Sequence, residues 1–175
     1  DPGGVHREDQ QGDAALLQIF APLGVYASFN EDGLLLQSEE RELTEKFEYD
    51  FMACPDLAQT CAATLCALGV PFHFTGLTTL RVKETDRIVA LQVELEKLGF
   101  VLSADPCGQW MAWDGKRCEP ASDPLIRTYH DHRMALAFAP LAIRLGQLSI
   151  EDPGVVSKSY PGYWEDLKKA GFGIS

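Results

Sequence analysis

The stretch LRVKETDRIVALQVELEKLGF, residues 80–100, decides the fold class of this chain. It begins with a cluster of charged residues and continues into apolar residues that recur at helical spacing. The apolar stripe consists of Ile88, Leu91, Leu95 and Leu98. Thr85 is the expected N-cap of the helix, and Gly99 is the expected stop, because glycine adopts the left-handed conformation that closes many helices. The stretch therefore predicts an amphipathic helix that leads directly into a strand.

Two other segments repeat this pattern. DAALLQIFAPLGVYASFNEDGLLLQ starts at Asp13, and PGYWEDLKKAGFGIS starts at Pro161. In each, apolar residues at helical spacing are followed by a glycine, Gly24 or Gly171, which we expect to end the helix. Short alternating stretches follow the predicted helices of residues 80–100 and of the segment that starts at Asp13. Their turns, at Asn30-Glu31-Asp32-Gly33 and Asp105-Pro106-Cys107-Gly108, predict hairpins.

A second type of helix lies between these segments. LAQTCAATLCAL, Leu57 to Leu68, and MALAFAPLAIRL, Met134 to Leu145, are small and apolar nearly all round. Such helices are buried on most sides. A strand is expected after each of them, so the order is strand, buried helix, strand, amphipathic helix and hairpin, repeated along the chain. This order predicts an α/β (α+β) class, with small-residue helices inside and amphipathic helices outside.

The repeats divide the chain into three units, at approximately residues 1–45, 46–118 and 119–175, of which the first and last are incomplete. An incomplete unit at each end suggests a chain cut from something larger. The alternative is a naturally short protein whose terminal repeats are atypical, as terminal repeats often are.

The acidic balance of the chain limits its partners. It has 26 Asp and Glu residues against 15 Lys and Arg residues, for a net charge of -11. A nucleic-acid backbone requires an excess of cations over a broad face, so general nucleic-acid binding is not expected. A small anionic ligand is compatible with this balance, because it needs only a few cations in one pocket.

The composition also indicates a cytoplasmic protein. No apolar run approaches the roughly 20 residues that a membrane span requires, and the polar start of the sequence lacks the apolar core of a signal peptide. The five cysteines are odd in number and match no C-x-x-C zinc pattern. Free, mostly buried thiols in a reducing compartment are therefore expected.

The first charged site is Lys83-Glu84-Thr85-Asp86-Arg87, at the start of the amphipathic helix. The free N–H groups and the dipole of a helix N-terminus, together with Lys83 and Arg87, would attract a phosphate or a carboxylate. Glu84 could fix these cations or move a proton. The alternative is a solvated helix start whose charges form surface ion pairs.

Three further charged residues or groups precede helices. His130-Asp131-His132-Arg133 stands before the helix at Met134, with Asp131 as the expected cap. Its histidines lack the further ligands of a zinc site, so no metal is expected. Asp56 precedes the helix at Leu57, where it is either a simple N-cap or a functional carboxylate. Lys158 precedes the last helix, where it is either a surface residue or part of an anion site.

Taken together, these motifs resemble a known family. RVKETDR followed by ELEKLG, then DHRMALAFA, then VSKSYPGYWEDL, closely resembles 5-enolpyruvylshikimate-3-phosphate synthase (EPSP synthase), and PDLAQT and QGD agree with it. The matches run in family order from Gln11 to Leu167. The related UDP-N-acetylglucosamine enolpyruvyl transferase shares the fold but lacks the KETDR and DHRM motifs.

The resemblance implies a fold of two lobes, each made of three βαβαββ units in an inside-out α/β barrel. Residues 1–175 would be a single C-terminal lobe, and the missing N-terminal lobe would be its partner. The implied reaction moves the carboxyvinyl group of phosphoenolpyruvate to the 5-hydroxyl of shikimate 3-phosphate and releases phosphate, in aromatic amino acid biosynthesis. The family uses no cofactor and no metal. The chain alone is expected to be inactive, because the other lobe holds part of both substrates.

The resemblance also implies a role for each charged motif. Asp56, Glu84 and Lys158 would be the catalytic residues, and Asp56 would contact the 5-hydroxyl as the candidate base. Residues expected to bind substrate are Thr79, Lys83, Arg87, His132 and Arg133. Of these, Thr79 and Lys83 would contact shikimate 3-phosphate, and the others would lie near phosphoenolpyruvate. Two alternatives are an isolated anion-binding domain without catalysis and a UDP-N-acetylglucosamine enolpyruvyl transferase.

Overall fold

The structure is a computed structural model, and it describes residues 15–30 and 33–175. Residues 15–20 are helical and are called α1. The other α-helices are α2 (Ala58–Leu68), α3 (Arg87–Lys97), α4 (His132–Phe138), α5 (Ala142–Leu145) and α6 (Tyr163–Lys169). The strands are β1 (Val25–Asn30), β2 (Gly33–Ser38), β3 (Phe47–Asp50), β4 (Phe72–Thr75), β5 (Ser103–Ala104), β6 (Trp110–Trp113), β7 (Leu125–Ile126) and β8 (Ser149–Ile150). The QGD motif and Asp13 lie outside the described residues.

The strands form three separate sheets in the described part of the chain. β1 and β2 form an antiparallel hairpin, and β7 pairs with β8 in parallel. The central sheet has the order β3-β4-β6-β5, in which β3 and β4 are parallel and the other neighbours are antiparallel. This mixture of helices and strands agrees with the expected α/β class. Each sheet lies within one of the three proposed repeat units, whose boundaries stay a prediction.

The core forms around α2 and α3. Small residues on α2 allow close packing, and Ala58, Ala62 and Ala63 are fully buried there. The predicted stripe on α3 is confirmed, because Ile88, Leu91 and Leu95 are 0% exposed and Leu98 is 4% exposed. The central sheet contributes aromatic rings to the same core. These contacts hold the N-termini of α2 and α3 in fixed places, and both ends carry charged motifs.

The prediction of one continuous helix from Met134 to Leu145 is wrong. α4 ends at Phe138, a short 3-10 helix occupies Ala139–Leu141, and α5 follows it. Pro140 lies in the first turn of that 3-10 helix. Proline has no N–H to donate and its ring clashes with the carbonyl four residues earlier, so a regular α-helix is interrupted there.

The predicted helix stops are confirmed, but the predicted cap of α3 is wrong. Gly24, Gly99 and Gly171 all have positive φ angles, between 84° and 100°. The N-cap of α3 is Asp86 and not Thr85, because the Asp86 carboxylate accepts a hydrogen bond from the Val89 N–H at 3.2 Å. A carboxylate has a second oxygen and a full charge to place against the helix dipole.

The β1–β2 hairpin leaves an apolar strand uncovered. All six residues of β2 are exposed, and its three consecutive leucines, Leu34, Leu35 and Leu36, are 46% to 60% exposed. A strand has two faces, so three leucines in a row place apolar side chains on both of them. In the described part of the chain, β2 pairs with β1 alone.

The cysteines differ in environment, and all five are free thiols. Cys61 and Cys66 are buried on α2, whereas Cys107 and Cys118 are exposed. Burial raises the pKa of the Cys61 thiol to about 12 and raises the pKa of Cys66 as well, since a thiolate is costly away from water. Within the described residues, the helices are all too short or too polar to pass through a lipid bilayer.

Candidate functional site

Asp56 forms ion pairs with three cations, which come from two other segments of the chain. Its Oδ1 lies 2.7 Å from Arg87 Nη1 and 3.4 Å from Lys83 Nζ, and its Oδ2 lies 3.2 Å from Arg133 Nη2. Asp56 is positioned by the 3-10 turn Pro55–Leu57, which precedes α2. The charged motifs that the sequence separates by up to 77 residues therefore meet at one carboxylate.

The alternative in which Asp56 only caps α2 is wrong. Leu57 is the N-cap residue of α2, and no side chain caps that end. The 3-10 turn moves the start of the α-helix beyond Asp56, so the carboxylate is directed to the cations of the neighbouring segments.

Arg87 is the central cation of the cluster, and it is 2% exposed. Its Nε donates to Asp131 Oδ2 at 2.5 Å, and its Nη2 donates to Asp131 Oδ1 at 3.2 Å. Nη1 donates to Asp56 at 2.7 Å, and Nη2 also donates to Glu84 at 2.8 Å. A buried guanidinium is tolerated only when its charge and its N–H groups are matched, and three carboxylates match them here.

Asp131 connects α3 to α4 within this cluster. It is 0% exposed, and it caps α4 by accepting the Arg133 N–H at 2.9 Å, as predicted. The sequence pattern indicates Asp131 only as a cap and does not reveal its pairing with Arg87. The D-H-R order indicated the cap, but no local pattern reports that a carboxylate faces a cation 44 residues away.

The cluster is internally balanced. Its three cations and three carboxylates are Lys83, Arg87, Arg133, Asp56, Glu84 and Asp131. The side chains of Lys83 and Arg133 are each 35% exposed, whereas that of Arg87 is 2% exposed. Two cations can therefore reach a ligand in solvent, while the third is committed to holding carboxylates.

Glu84 is a carboxylate that stays ionised near neutral pH. A hydrogen bond from its own backbone is the main cause that lowers its pKa, and the charges of Arg87, His132 and Lys83 lower it further, against a smaller rise from desolvation. Because its pKa is lowered, Glu84 carries its negative charge near neutral pH, so it can accept a proton but has none to donate. It is also the most accessible of the three carboxylates, with 48% of its side chain exposed.

The remaining predicted site residues lie at different distances from the cluster. His132 is next to it, with Nδ1 at 3.9 Å from Asp131 Oδ1. Thr79 is exposed on the 3-10 helix Thr78–Val82, just before Lys83. Lys158 is exposed at the end of a 3-10 helix that packs against α4. Neither Thr79 nor Lys158 contributes a hydrogen bond or an ion pair to the cluster in the described residues.

No candidate metal centre accompanies this site. Over residues 15–30 and 33–175, no three side chains of His, Cys, Asp or Glu are grouped so that they could hold a metal ion. The functional groups at the site are cations, carboxylates and one imidazole.

Comparison with known proteins identifies relatives over nearly the whole chain. The family model of EPSP synthase (3-phosphoshikimate 1-carboxyvinyltransferase) matches residues 3–167. A 3-phosphoshikimate 1-carboxyvinyltransferase from Bacteroides fragilis is 50% identical over 171 residues, covering 98% of this chain. One from Methanospirillum hungatei is 32% identical over 168 residues, covering 95% of this chain.

A solved EPSP synthase structure from Acinetobacter baumannii shares the fold, with a TM-score of 0.57 at 19% sequence identity, and the match covers 91% of this chain. This chain spans 41% of the length of the Bacteroides fragilis relative and 39% of the Acinetobacter baumannii chain. That coverage is consistent with the predicted C-terminal portion. On the family match and these relatives, the chain belongs to the EPSP synthase family.

Proposed function

We propose that this chain supplies one lobe of an enolpyruvyl transferase. The complete enzyme would move the carboxyvinyl group of phosphoenolpyruvate to the 5-hydroxyl of shikimate 3-phosphate and release phosphate. The observation that carries the proposal is the meeting of Lys83, Arg87 and Arg133 at the Asp56 carboxylate. A transfer between two anionic substrates needs cations to hold them and a carboxylate to move a proton, and the cluster offers both.

The proposed reaction has two stages with opposite proton transfers. In the addition, the 5-hydroxyl oxygen bonds to C2 of phosphoenolpyruvate, the hydroxyl loses its proton, and the methylene carbon gains one. In the elimination, the C–O bond to phosphate breaks and the methyl carbon returns its proton, which restores the double bond. The protein therefore needs a base and an acid that exchange roles, and no cofactor is required.

These proton transfers are assigned to two carboxylates, Asp56 and Glu84, and to Lys158. Asp56 is the proposed base for the 5-hydroxyl, and the ionised Glu84 is the proposed acceptor of a proton near phosphoenolpyruvate. Lys158 is the proposed acid, which requires its exposed side chain to turn toward the cluster. Thr79 and His132 complete the proposed substrate contacts.

Lys83 and Arg133 are the proposed first contacts for the anionic groups of the substrates, because both are partly exposed. Arg87 can reach phosphoenolpyruvate only if one of its carboxylate partners releases it. Glu84 is the partner best able to do so, since its side chain is exposed and Asp131 is fully buried. In this proposal Arg87 mainly holds the site together, and Glu84 opens it to the ligand.

The partner in this proposal is the N-terminal lobe of the same family, which would supply the rest of both substrate sites. The setting is the cytoplasm, where the five free thiols would stay reduced. Support for the missing partner is the coverage of the Bacteroides fragilis relative, of which this chain spans 41%.

The test is recombination with a separately expressed N-terminal lobe. Phosphate release from phosphoenolpyruvate and shikimate 3-phosphate is expected only when both lobes are present, and Arg133→Gln should abolish most of it. Arg144→Gln is the matched control, because Arg144 is an exposed arginine on α5 outside the cluster.

Calorimetry with each substrate distinguishes a transferase lobe from the alternative, an anion-binding domain without catalysis. Binding by the recombined lobes without any turnover would contradict the transferase proposal and would favour an anion-binding domain. Equal turnover in the wild-type protein and the Arg133→Gln variant would show that the cluster is not part of the active site.

A further inference from the structure

A second buried carboxylate lies on α3, two helical turns after Arg87. Glu94 is 0% exposed, and seven residues return a helix to nearly the same face. Arg87 and Glu94 therefore both face the segment that joins β7 to α4, one as a cation and the other as an anion. The proposed reaction assigns no role to Glu94.

Glu94 holds this connecting segment at two points. Its Oε1 accepts the Tyr129 hydroxyl at 2.6 Å, and its Oε2 accepts the Arg127 N–H at 3.0 Å. Lys97 Nζ lies 2.6 Å from Oε2 and balances the charge. A fully buried carboxylate is costly unless such partners surround it, so the segment is tied firmly to α3.

The segment held in this way has an unusual backbone. Tyr129 and His130 have φ angles of 54° and 57°, and consecutive non-glycine residues rarely adopt this left-handed conformation. Asp131 follows directly, and its N–H donates to the Thr128 carbonyl at 2.9 Å. The two left-handed residues turn the chain so that the Asp131 carboxylate faces Arg87. Such a conformation persists only where the surroundings fix it.

The Tyr129 hydroxyl keeps its proton in this arrangement. Burial, the hydrogen bond to Glu94 and its charge raise the pKa of Tyr129 to about 12. The guanidinium of Arg127 also lies over the Tyr129 ring, 5.3 Å from its centre. Tyr129 therefore remains a hydrogen-bond donor over the whole range in which an enzyme of this kind would work.

We propose that Glu94 is a positioning residue for the charge cluster: by holding Arg127 and Tyr129, it fixes the left-handed turn that presents Asp131 to Arg87. Among the described residues, Glu94 makes no hydrogen bond or ion pair with the side chains of the cluster, and it acts through Asp131. The consequence for turnover rests on the proposed function, whereas the effect on Arg87 does not.

The test observes Arg87 directly by NMR in the chain of residues 1–175. The Nε–H of Arg87 donates to Asp131 at 2.5 Å in a buried site, so its proton should exchange slowly with water. In Glu94→Gln, one of the two acceptor oxygens is replaced by an NH2 donor, so the side chain can no longer accept from both Arg127 and Tyr129, and it loses the charge that pairs with Lys97. Exchange of the Arg87 Nε–H should then be faster by about tenfold or more, as expected when local opening becomes easier.

Two further variants keep the result interpretable. Tyr129→Phe removes one hydroxyl and leaves the Glu94 carboxylate in place, and it should accelerate the same exchange to a smaller degree. Glu96→Gln is the matched control, because Glu96 is an exposed glutamate on the same helix, and it should leave the exchange unchanged. If Glu94→Gln does not fold, Tyr129→Phe alone decides: unaltered Arg87 exchange in it would overturn the proposal.

Turnover of the recombined lobes separates this proposal from the function. Faster Arg87 exchange together with a lower kcat in Tyr129→Phe supports both. If exchange is faster in the variants but the recombined wild-type lobes show no turnover, the positioning role is supported and the proposed function is contradicted. Unchanged exchange in both Glu94→Gln and Tyr129→Phe overturns the positioning role, whatever the turnover.

Discussion

At the scale of single residues, the surroundings of Asp56 and Arg87 decide what each can do. Asp56 lies at the open side of the cluster with about a third of its side chain exposed, so it can meet both the cations and a ligand. Arg87 is buried, and its N–H groups are occupied by carboxylates. The motif KETDR does not distinguish these situations, because burial depends on α2, α3 and α4 packing together.

Removal of the Asp56 carboxylate is the most direct test of its proposed role. In the recombined lobes, Asp56→Ala should lower kcat by at least about 10²-fold, the range of a lost acid–base group. Steady-state phosphate release measures this effect. Asp123→Asn is the control, since Asp123 is exposed and takes no part in the ion pairs of the cluster, and it should behave as wild type. A near-normal kcat in Asp56→Ala would remove this residue from the mechanism.

The lowered pKa of Glu84 predicts a pH dependence. A depressed folded pKa keeps the carboxylate ionised from neutral pH down to below its ordinary value of 4.5, so its stabilising contacts are lost only as the pH falls through the folded pKa. Glutamine does not titrate, so Glu84→Gln lacks this acid-dependent loss. When each variant is normalised to its own stability at pH 7, acid unfolding followed by circular dichroism should therefore begin at a lower pH in Glu84→Gln than in wild type. An unchanged normalised acid transition would contradict the lowered pKa of Glu84.

At the scale of elements, local patterns predicted most of the helices and their ends. The spacing of Ile88, Leu91 and Leu95 was sufficient for the buried face of α3, because helical periodicity is a local property. Residue type alone did not identify the cap of α3. Thr85 is a good cap by residue type, but Asp86 also pairs with Arg81, five residues earlier, at 2.7 Å, and this ion pair favours Asp86.

Replacing the two competing caps tests this account of α3. Asp86→Ala should destabilise the chain by about 1 kcal/mol, since it removes the side chain that accepts the Val89 N–H. Thr85→Ala should change the free energy of unfolding by less than about 0.5 kcal/mol, as expected for a surface position without such a contact. Urea denaturation measures both. Equal losses in the two variants would contradict the assignment of Asp86 as the cap.

At the scale of the whole molecule, the alternation of buried and amphipathic helices predicted the class, and the motifs predicted the family. The pairing of charges across segments was not predictable in the same way. Arg87 and Asp131 lie 44 residues apart, and only the packing of α3 against the segment before α4 brings them together. The exposed strand β2 was equally hidden from sequence reasoning, because GLLLQS reads as an ordinary strand until its neighbours are known.

The three leucines of β2 predict self-association of the isolated chain. An edge strand with apolar side chains on both faces is a template for pairing with another copy. Leu35→Lys should reduce the weight-average mass seen by analytical ultracentrifugation at high concentration, because a charge on an edge strand opposes such pairing. Gln147→Lys is the control for added charge alone, because Gln147 is an exposed residue between α5 and β8 and lies outside the hairpin. The same association in wild type and Leu35→Lys would rule out β2 as the contact.

Because the cysteines differ in burial, the rates at which their thiols react can report how fast the core around α2 opens. A thiol reagent should modify Cys107 and Cys118 at once, whereas Cys61 and Cys66 on α2 react only after the core has opened. The slow phase of modification, followed by mass spectrometry, therefore times the release of α2 without any engineered label. A single fast phase for all of these thiols would show that α2 is not held in the core on the timescale of the reagent.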